Sequence, residues 1–250
     1  MKHILVIGIG AGDPDYITMQ AVKALNRADV FFIMDKGQAK EKLIHLRKEI
    51  CERYISGSDY RFAEAISPER RKDHPDYDRA VNDLNDDKQA VFEQLIGEEL
   101  ANEEYGAFLV WGDPALYDST IRILNAILAA GRIAFDYEVI PGISSVQSLT
   151  ARHKVPLNQI GRAVEITTGR RLAQGWPAGA DSVVVMLDAE NTYLTLVDAD
   201  LHIYWGAYLG TADEILLAGR LKDVAAEIER VRTEARARHG WIMDTYLLRK

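Results

Sequence analysis

One cysteine in 250 residues, Cys51, rules out an intrachain disulfide, and its place in a stretch of helical spacing makes it a bystander thiol. Long apolar runs are also missing. The longest, residues 3–9 and 183–187, are strand-length and fall short of the ~18–20 residues that cross a bilayer. The start holds no charged region, apolar stretch and small-residue cleavage site in series, so the expected setting is cytoplasmic. Basic charge is in deficit: 30 Lys and Arg against 38 Asp and Glu leave a formal net charge of −8. Nucleic acid, which needs a basic surface to displace counterions, is therefore a poor partner. An acidic small molecule would have to be met by a local basic group. The histidines, at 3, 45, 74, 153, 202 and 239, show no ligand spacing with cysteines or carboxylates, so no metal is expected. Low-complexity tracts and repeats of 20–50 residues are absent too.

What is present is the composition of a folded chain, 48% hydrophobic and 27% charged, long enough for two modest domains. Residues 4–9 form a continuous apolar run ending in glycines, as a buried parallel strand does. Thr18 suits the N-cap of a helix to residue 27. A second strand is expected at 29–34 and helices at 39–54 and 80–102, with an irregular polar stretch at 56–78 between them. A strand at 107–111, a helix at 119–130, a strand at 137–140 and a helix from Ser144 or Ser145 complete a β-loop-α alternation, the mark of a parallel sheet covered by helices. Beyond Pro156 the rhythm changes. Strands are expected at 163–168, 182–187, 202–205, 212–218 and 242–248, with helices at 190–197 and 222–239. Two strands near the end with no helix between them suggest a mixed sheet. The expected fold is therefore two α/β domains, 1–157 with a mainly parallel sheet and 158–250 with a mixed one, and an active-site cleft between them.

Three motifs carry chemistry. Gly8-Ile9-Gly10-Ala11-Gly12-Asp13-Pro14 follows the first strand, and with Asp35 it has the outline of a dinucleotide fingerprint. Pro14 has no N–H to offer a phosphate, and Asp13 would set a carboxylate against one. These glycines are read as serving close approach of something other than phosphate, or a purely structural turn. Trp111-Gly112-Asp113-Pro114-Ala115-Leu116-Tyr117 follows another strand, at the end where open α/β sheets bind ligands. Its carboxylate and strand-end carbonyls suit a cationic ligand. Pro141-Gly142-Ile143-Ser144-Ser145 joins a strand to a helix that either serine can cap.

In this order, and with Thr167-Thr168-Gly169, Val184-Val185-Met186, Trp205-Gly206-Ala207 and Gly219-Arg220-Leu221 further on, the motifs resemble the tetrapyrrole (corrin and porphyrin) methyltransferase family across nearly the whole chain. The resemblance implies an enzyme that transfers a methyl group from S-adenosylmethionine to a tetrapyrrole carbon, leaving S-adenosylhomocysteine, and works as a homodimer. It places cofactor contacts at Ala11, Trp111, Asp113, Leu116, Ser144, Ser145, Met186 and Ala207, with Gly219 and Arg220 as weaker members. Met186 also has a reading as plain core. Two departures stand out. Ala11 occupies a place where many members have proline, and Trp205-Gly206 one where many have an acidic residue and asparagine.

Methyl transfer from a sulfonium needs donor and acceptor held at near-attack distance and demands no metal or covalent nucleophile. Asp35 is the candidate for proton transfer, against its alternative as a strand-end cap. The carboxylates of a tetrapyrrole suit guanidinium forks. Arg122, Arg170 and Arg171 are the candidates, together with the run Arg152-His153-Lys154. Rival readings are another tetrapyrrole acceptor, a dinucleotide-dependent oxidoreductase built on residues 8–12 and Asp35, and a tetrapyrrole-binding protein without catalysis.

Overall fold

A computed structural model describes residues 1–35, 41–68 and 77–250. They form two compact units, residues 1–10 with 14–143 and residues 11–13 with 144–250. The division thus comes at 143/144 rather than near 157. The helix after Ser144 explains the difference: its Ser145 and His153 bond to Thr245 and Trp205 of the second sheet.

The first unit is a five-stranded parallel sheet in the order β3-β2-β4-β1-β5. The strands are β1 (Lys2–Gly8), β2 (Val30–Asp35), β3 (Arg61–Ile66), β4 (Tyr105–Val110) and β5 (Phe135–Ile140). Helices α1 (Met19–Leu25) and α2 (Glu41–Tyr54) put Ala21, Leu25, Ile50 and Cys51 on one face, against Leu5, Ile7 and Leu109. Helices α3 (Tyr77–Glu98) and α4 (Thr120–Ala130) cover the other with Phe92, Leu95, Ile96, Ile123 and Ile127. Phe92 stacks on Phe108 at 4.3 Å between ring centres. Thr18 caps α1 as expected, its Oγ1 accepting from Ala21 N–H at 3.0 Å. The strand β3 lies where the sequence reads as irregular. Only Ala63 of its six residues is buried, so this edge strand carries almost no apolar signature.

The second unit is a mixed sheet in the order β6-β7-β10-β8-β9, parallel only between β6 and β7. Its strands are β6 (Ala163–Thr168), β7 (Ala180–Met186), β8 (His202–Ala207), β9 (Ile215–Arg220) and β10 (Asp244–Arg249). The last strand takes the central place. Helix α7 (Leu221–His239) buries Leu221, Ala225, Ile228, Arg232 and Ala235, spaced by four and three, on a core of Trp205, Tyr193 and Tyr246. Helix α5 (Ser145–His153) brings Leu149 onto Gly206, where an added Cβ would stand 2.9 Å from Leu149 Cδ1. A short helix, α6 (Gly169–Leu172), follows β6, and the helix expected at 190–197 is a 3-10 helix, Thr192–Leu196.

Candidate active site

In the first unit, the helices after β1 and β2 lie on one face and those after β3 and β4 on the other. The strand order therefore reverses between the neighbours β1 and β4, and ligands of open α/β sheets bind beyond the carboxyl ends of such a pair. The Gly8 and Trp111 motifs emerge there. Gly112 N–H donates to Gly10 O at 2.8 Å and Gly10 N–H to Gly112 O at 3.3 Å, a short antiparallel bridge between the two loops. The turn after β5 joins them: Gly142 N–H donates to Asp113 Oδ2 at 2.9 Å, while Asp113 Oδ1 accepts from Ala115 N–H at 2.8 Å. A Cβ on Gly142 would lie 2.0 Å from Gly112 O, and one on Gly8 2.6 Å from Gly142 N. The three motifs are one knot, and its glycines are required by their approach to each other. The Asp113 carboxylate, expected to face a cationic ligand, spends one bond from each oxygen on the knot itself.

The dinucleotide reading loses its physical basis at the same place. A fingerprint glycine loop runs directly into a helix whose first N–H groups face the phosphates. Here a 3-10 turn, Pro14–Tyr16, intervenes, and α1 begins only at Met19. Trp111, by contrast, is half-buried with its indole Nε1 shielded from solvent and, among the described residues, unpartnered. A buried donor without an acceptor is costly, and a ligand oxygen or nitrogen would satisfy it. Leu116 precedes Tyr117, which is exposed and held at φ 54°.

In the second unit the register sets Met186 opposite Thr245 and Ala207 opposite Asp244, so both candidates stand at one edge of the sheet. Thr245 Oγ1 bonds Ser145 Oγ at 3.1 Å, bringing the start of α5 to that edge. Ser144 caps α5: its Oγ accepts from Val146 N–H at 3.1 Å, and Gln147 reaches back to Ser144 N–H at 3.2 Å. Ala11 is buried, and a Cβ on the following Gly12 would meet Leu209 O at 2.3 Å, placing this loop beside the chain that follows Ala207. Leu187 and Tyr208, next after Met186 and Ala207, have φ of 55° and 50°. Tyr117, Leu187 and Tyr208 thus share one pattern: each follows a candidate cofactor residue in left-handed backbone, a strain that concentrates at binding sites.

Beneath this edge lies a polar network that the sequence does not announce. The Asp188 carboxylate accepts from Thr192 N–H at 2.7 Å, Thr192 Oγ1 at 2.9 Å, Glu190 N–H at 3.1 Å and Tyr246 OH at 2.7 Å. It also rests on Gly169, where a Cβ would stand 2.3 Å from Asp188 Oδ1, which accounts for the glycine of the Thr-Thr-Gly motif. Arg232, buried in the middle of α7, donates from Nε to Asp244 Oδ2 at 2.9 Å and from Nη2 to Asp188 O at 2.6 Å. Trp205 Nε1 donates to the same Asp244 oxygen at 3.0 Å. Burial and the neighbouring Asp188 carboxylate hold the Tyr246 hydroxyl far above the usual phenol range.

The other candidates divide. Arg170 and Arg171 are exposed in α6, which starts at the end of β6 that pairs with Met186, and Arg171 Nη1 donates to Gln174 Oε1 at 2.5 Å. Arg122 is exposed in the first turn of α4, shortly after the Trp111 loop. Gly219 and Arg220 are not part of the cluster. Their partners are Ile203 and His202, at the far end of β8 from Ala207, about 17 Å away at strand rise. Two residues of the basic run at 152–154 are used internally: Arg152 pairs with Glu214, and His153 Nε2 donates to Trp205 O at 3.0 Å. Asp35 ends β2, and its side chain lies outside the described part of the structure, as do His74, Pro75 and Asp76 of the charged segment before α3. Among the described residues no cluster of His, Cys, Asp and Glu could hold a metal ion, and no helix is long and apolar enough to cross a membrane.

The tetrapyrrole (corrin/porphyrin) methylases match residues 3–225 of the chain. A precorrin-6A synthase [deacetylating] from Sinorhizobium sp is 51% identical over 250 residues, which cover 100% of this chain and 96% of the relative. The crystal structure of a putative cobalamin synthesis related protein, CobF, from Corynebacterium diphtheriae superposes with a TM-score of 0.84 at 35% identity, covering 100% of this chain and 98% of that one. A uroporphyrin-III C-methyl transferase from Thermus thermophilus, complexed with S-adenosylhomocysteine, shares the fold with a TM-score of 0.60 at 15% identity over 99% of this chain and 97% of that one.

Proposed function

Because the chain belongs to the tetrapyrrole (corrin/porphyrin) methylase family, we propose that it methylates precorrin-5 at C-1 and releases the C-1 acetyl group as acetate, giving precorrin-6A. It is an S-adenosylmethionine-dependent C-methyltransferase of cobalamin biosynthesis, and its substrate is a small-molecule tetrapyrrole. The observation that carries the choice of acceptor is 51% identity, end to end, to a deacetylating precorrin-6A synthase. We further propose a cytoplasmic homodimer.

The residues fit the cofactor. In the first unit we assign Trp111, Asp113 and Leu116 to it, and in the second Ala11, Ser144, Ser145, Met186 and Ala207. The orphaned Trp111 indole N–H awaits an acceptor, and the strained residues after Leu116, Met186 and Ala207 fix the backbone around those contacts. When bound, S-adenosylmethionine supplies a methyl group on a sulfonium, already activated for displacement.

What the chain supplies is placement. Within the first unit the loops are knotted by their own hydrogen bonds, and within the second the edge of β7, β8 and β10 is braced by its own, so each would hold its ligand contacts with little local reorganisation. C-1 has no free valence while the acetyl group is attached, so deacetylation comes first: water adds to the acetyl carbonyl, the bond to C-1 breaks with its electron pair left on C-1, and acetate and a proton depart. C-1 would then take the methyl carbon as that carbon's bond to sulfur breaks, leaving S-adenosylhomocysteine. Asp35, at the end of β2, is our candidate for moving the proton of that water. Arg122, Arg170 and Arg171 are our candidates for the carboxylates of the acceptor. Incubation with S-adenosylmethionine and precorrin-5 tests the proposal. Mass spectrometry is expected to show one methyl gained and one acetyl lost. A methylated product that keeps its acetyl group would redirect the proposal to another acceptor.

A further inference from the structure

Arg47 is half-buried and, among the described residues, has no counter-charge. It lies in α2, which lays Leu46, Ile50 and Cys51 against the first sheet. β2 pairs with β4 only from Val30–Gly106 to Phe32–Phe108, although β2 continues to Asp35 beside β3 and β4 to Val110 beside β1. The two strands therefore part at their carboxyl ends. Val110 O accepts from Ile9 N–H on the β1 side, so by the alternation of strand carbonyls Leu109 O points to the β2 side, into the gap. Arg47 Nε donates to it at 3.0 Å, and Nη1 donates to Leu43 O at 2.8 Å.

Both acceptors are neutral carbonyls. Among the described residues no carboxylate comes within ion-pair distance of Arg47. Asp118, whose Oδ1 is held by Thr120 N–H at 2.7 Å, acts on it only through space, and burial pushes the guanidinium down to about 10. Other arginines of this unit have partners: Arg27 has Glu138, Arg61 has Glu104 and Arg132 has Glu93. A guanidinium has five donors, and among the described residues Nη2 has no acceptor. A shielded charge lacking a partner is unfavourable unless an anion completes it. The chain as a whole, at net charge −8, offers a polycarboxylate no general attraction, so a local cation at the ligand-binding edge of the sheet has a distinct value.

We propose that Arg47 receives a carboxylate side chain of the tetrapyrrole acceptor in the gap between β2 and β4. The inference rests on the acceptor class proposed above. The cofactor also carries a carboxylate, but the residues assigned to the cofactor in this unit follow β4 on its β1 side, whereas Arg47 stands on the β2 side.

The test compares Arg47→Met and Arg47→Lys with Arg249→Met. Arg249 is an equally instructive arginine: buried at the end of β10, its side chain bonds, among the described residues, the neutral Ser182 Oγ, Pro156 O and Leu157 O. Arg47→Met is expected to raise KM for precorrin-5 at least tenfold while the calorimetric Kd for S-adenosylhomocysteine stays within twofold. Arg47→Lys, keeping charge without the fork, should raise KM about threefold, and it carries the test alone if the methionine variant does not fold. Arg249→Met is expected to lower the melting temperature and leave KM unchanged. An unchanged KM in both Arg47 variants overturns the proposal and makes Arg47 a purely structural tie. Loss of S-adenosylhomocysteine affinity, with or without a change in KM, overturns it as well. If the wild-type enzyme methylates a different precorrin, the acceptor reading falls, and the same comparison with that acceptor still decides the role of Arg47.

Discussion

Gly142 N–H donates to Asp113 Oδ2 across 2.9 Å, so the turn after β5 is fastened to the loop after β4 by the one carboxylate that the Gly-Asp-Pro motif provides. Asp113→Ala removes that acceptor and also the one for Ala115 N–H. Hydrogen bonds to a charged group contribute about 1.5–3 kcal/mol each, and Ala115 is exposed, so the loss of two should lie at the lower end, about 3 kcal/mol in urea unfolding. Affinity for S-adenosylhomocysteine should fall with it. Asp113→Asn keeps an acceptor and should cost less than half as much. Gly142→Ala meets backbone, Gly112 O at 2.0 Å, and should be the most damaging of the three. Equal stability of Asp113→Ala and wild type would mean that the knot holds without its carboxylate.

Arg232 and Asp244 are both less than a tenth exposed. Breaking such a pair from one side leaves a buried charge uncompensated and costs about 3–5 kcal/mol. Arg232→Met is expected to cost that much in chemical denaturation. Removing both charges with Arg232→Met and Asp244→Leu should recover only part of it, because Trp205 Nε1 and Asp188 O would lose their partners as well. Full recovery in the double variant would show those two bonds to be dispensable.

The sequence made the knot legible as three motifs in order but not as a knot. Periodicity reports faces and ends, and bonds such as Gly112 to Gly10 join residues about a hundred positions apart. The Arg232–Asp244–Asp188 network was hidden for a related reason. Arg232 sits among charges in a long helix, and nothing local separates the one arginine that turns inward. Arg47 was masked in the same way by Lys48 beside it. The boundary at 157 was misplaced because Pro156 breaks the rhythm, whereas allegiance to a unit depends on what α5 packs against. The strand β3 escaped because an edge strand with one buried residue leaves no alternation to read. Conversely, the parallel and mixed sheets followed from the apolar runs of β1, β4 and β7, whose buried side chains face both sheet surfaces.

His153 offers a pH dependence. Burial holds its imidazole below the ordinary value of 6.5, against the opposing effects of Trp205 O and Glu214. The unfolded chain therefore takes up a proton at a pH where the folded chain does not. Stability is complete above pH 6.5, declines as the pH falls below it, and levels off once the folded imidazole is protonated too. In His153→Gln the decline over that window should be shallower, as read from urea midpoints at pH 7.0, 6.0 and 5.0. Parallel curves for the two proteins would assign the acid sensitivity to other groups.

Trp111 separates binding from folding. Among the described residues its indole N–H is buried and has no partner, which costs the folded state, so Trp111→Phe removes that cost and keeps most of the ring. Unfolding free energy should fall by no more than about 1 kcal/mol, since no hydrogen bond is lost. If the cofactor supplies the missing acceptor, the variant loses a bond contributing about 1 kcal/mol to binding, and the Kd for S-adenosylhomocysteine should rise about fivefold. The two readings thus diverge in one pair of measurements. A core role predicts lost stability with unchanged affinity, while a cofactor contact predicts kept stability with lost affinity, because such a donor bonds the ligand and nothing in the fold.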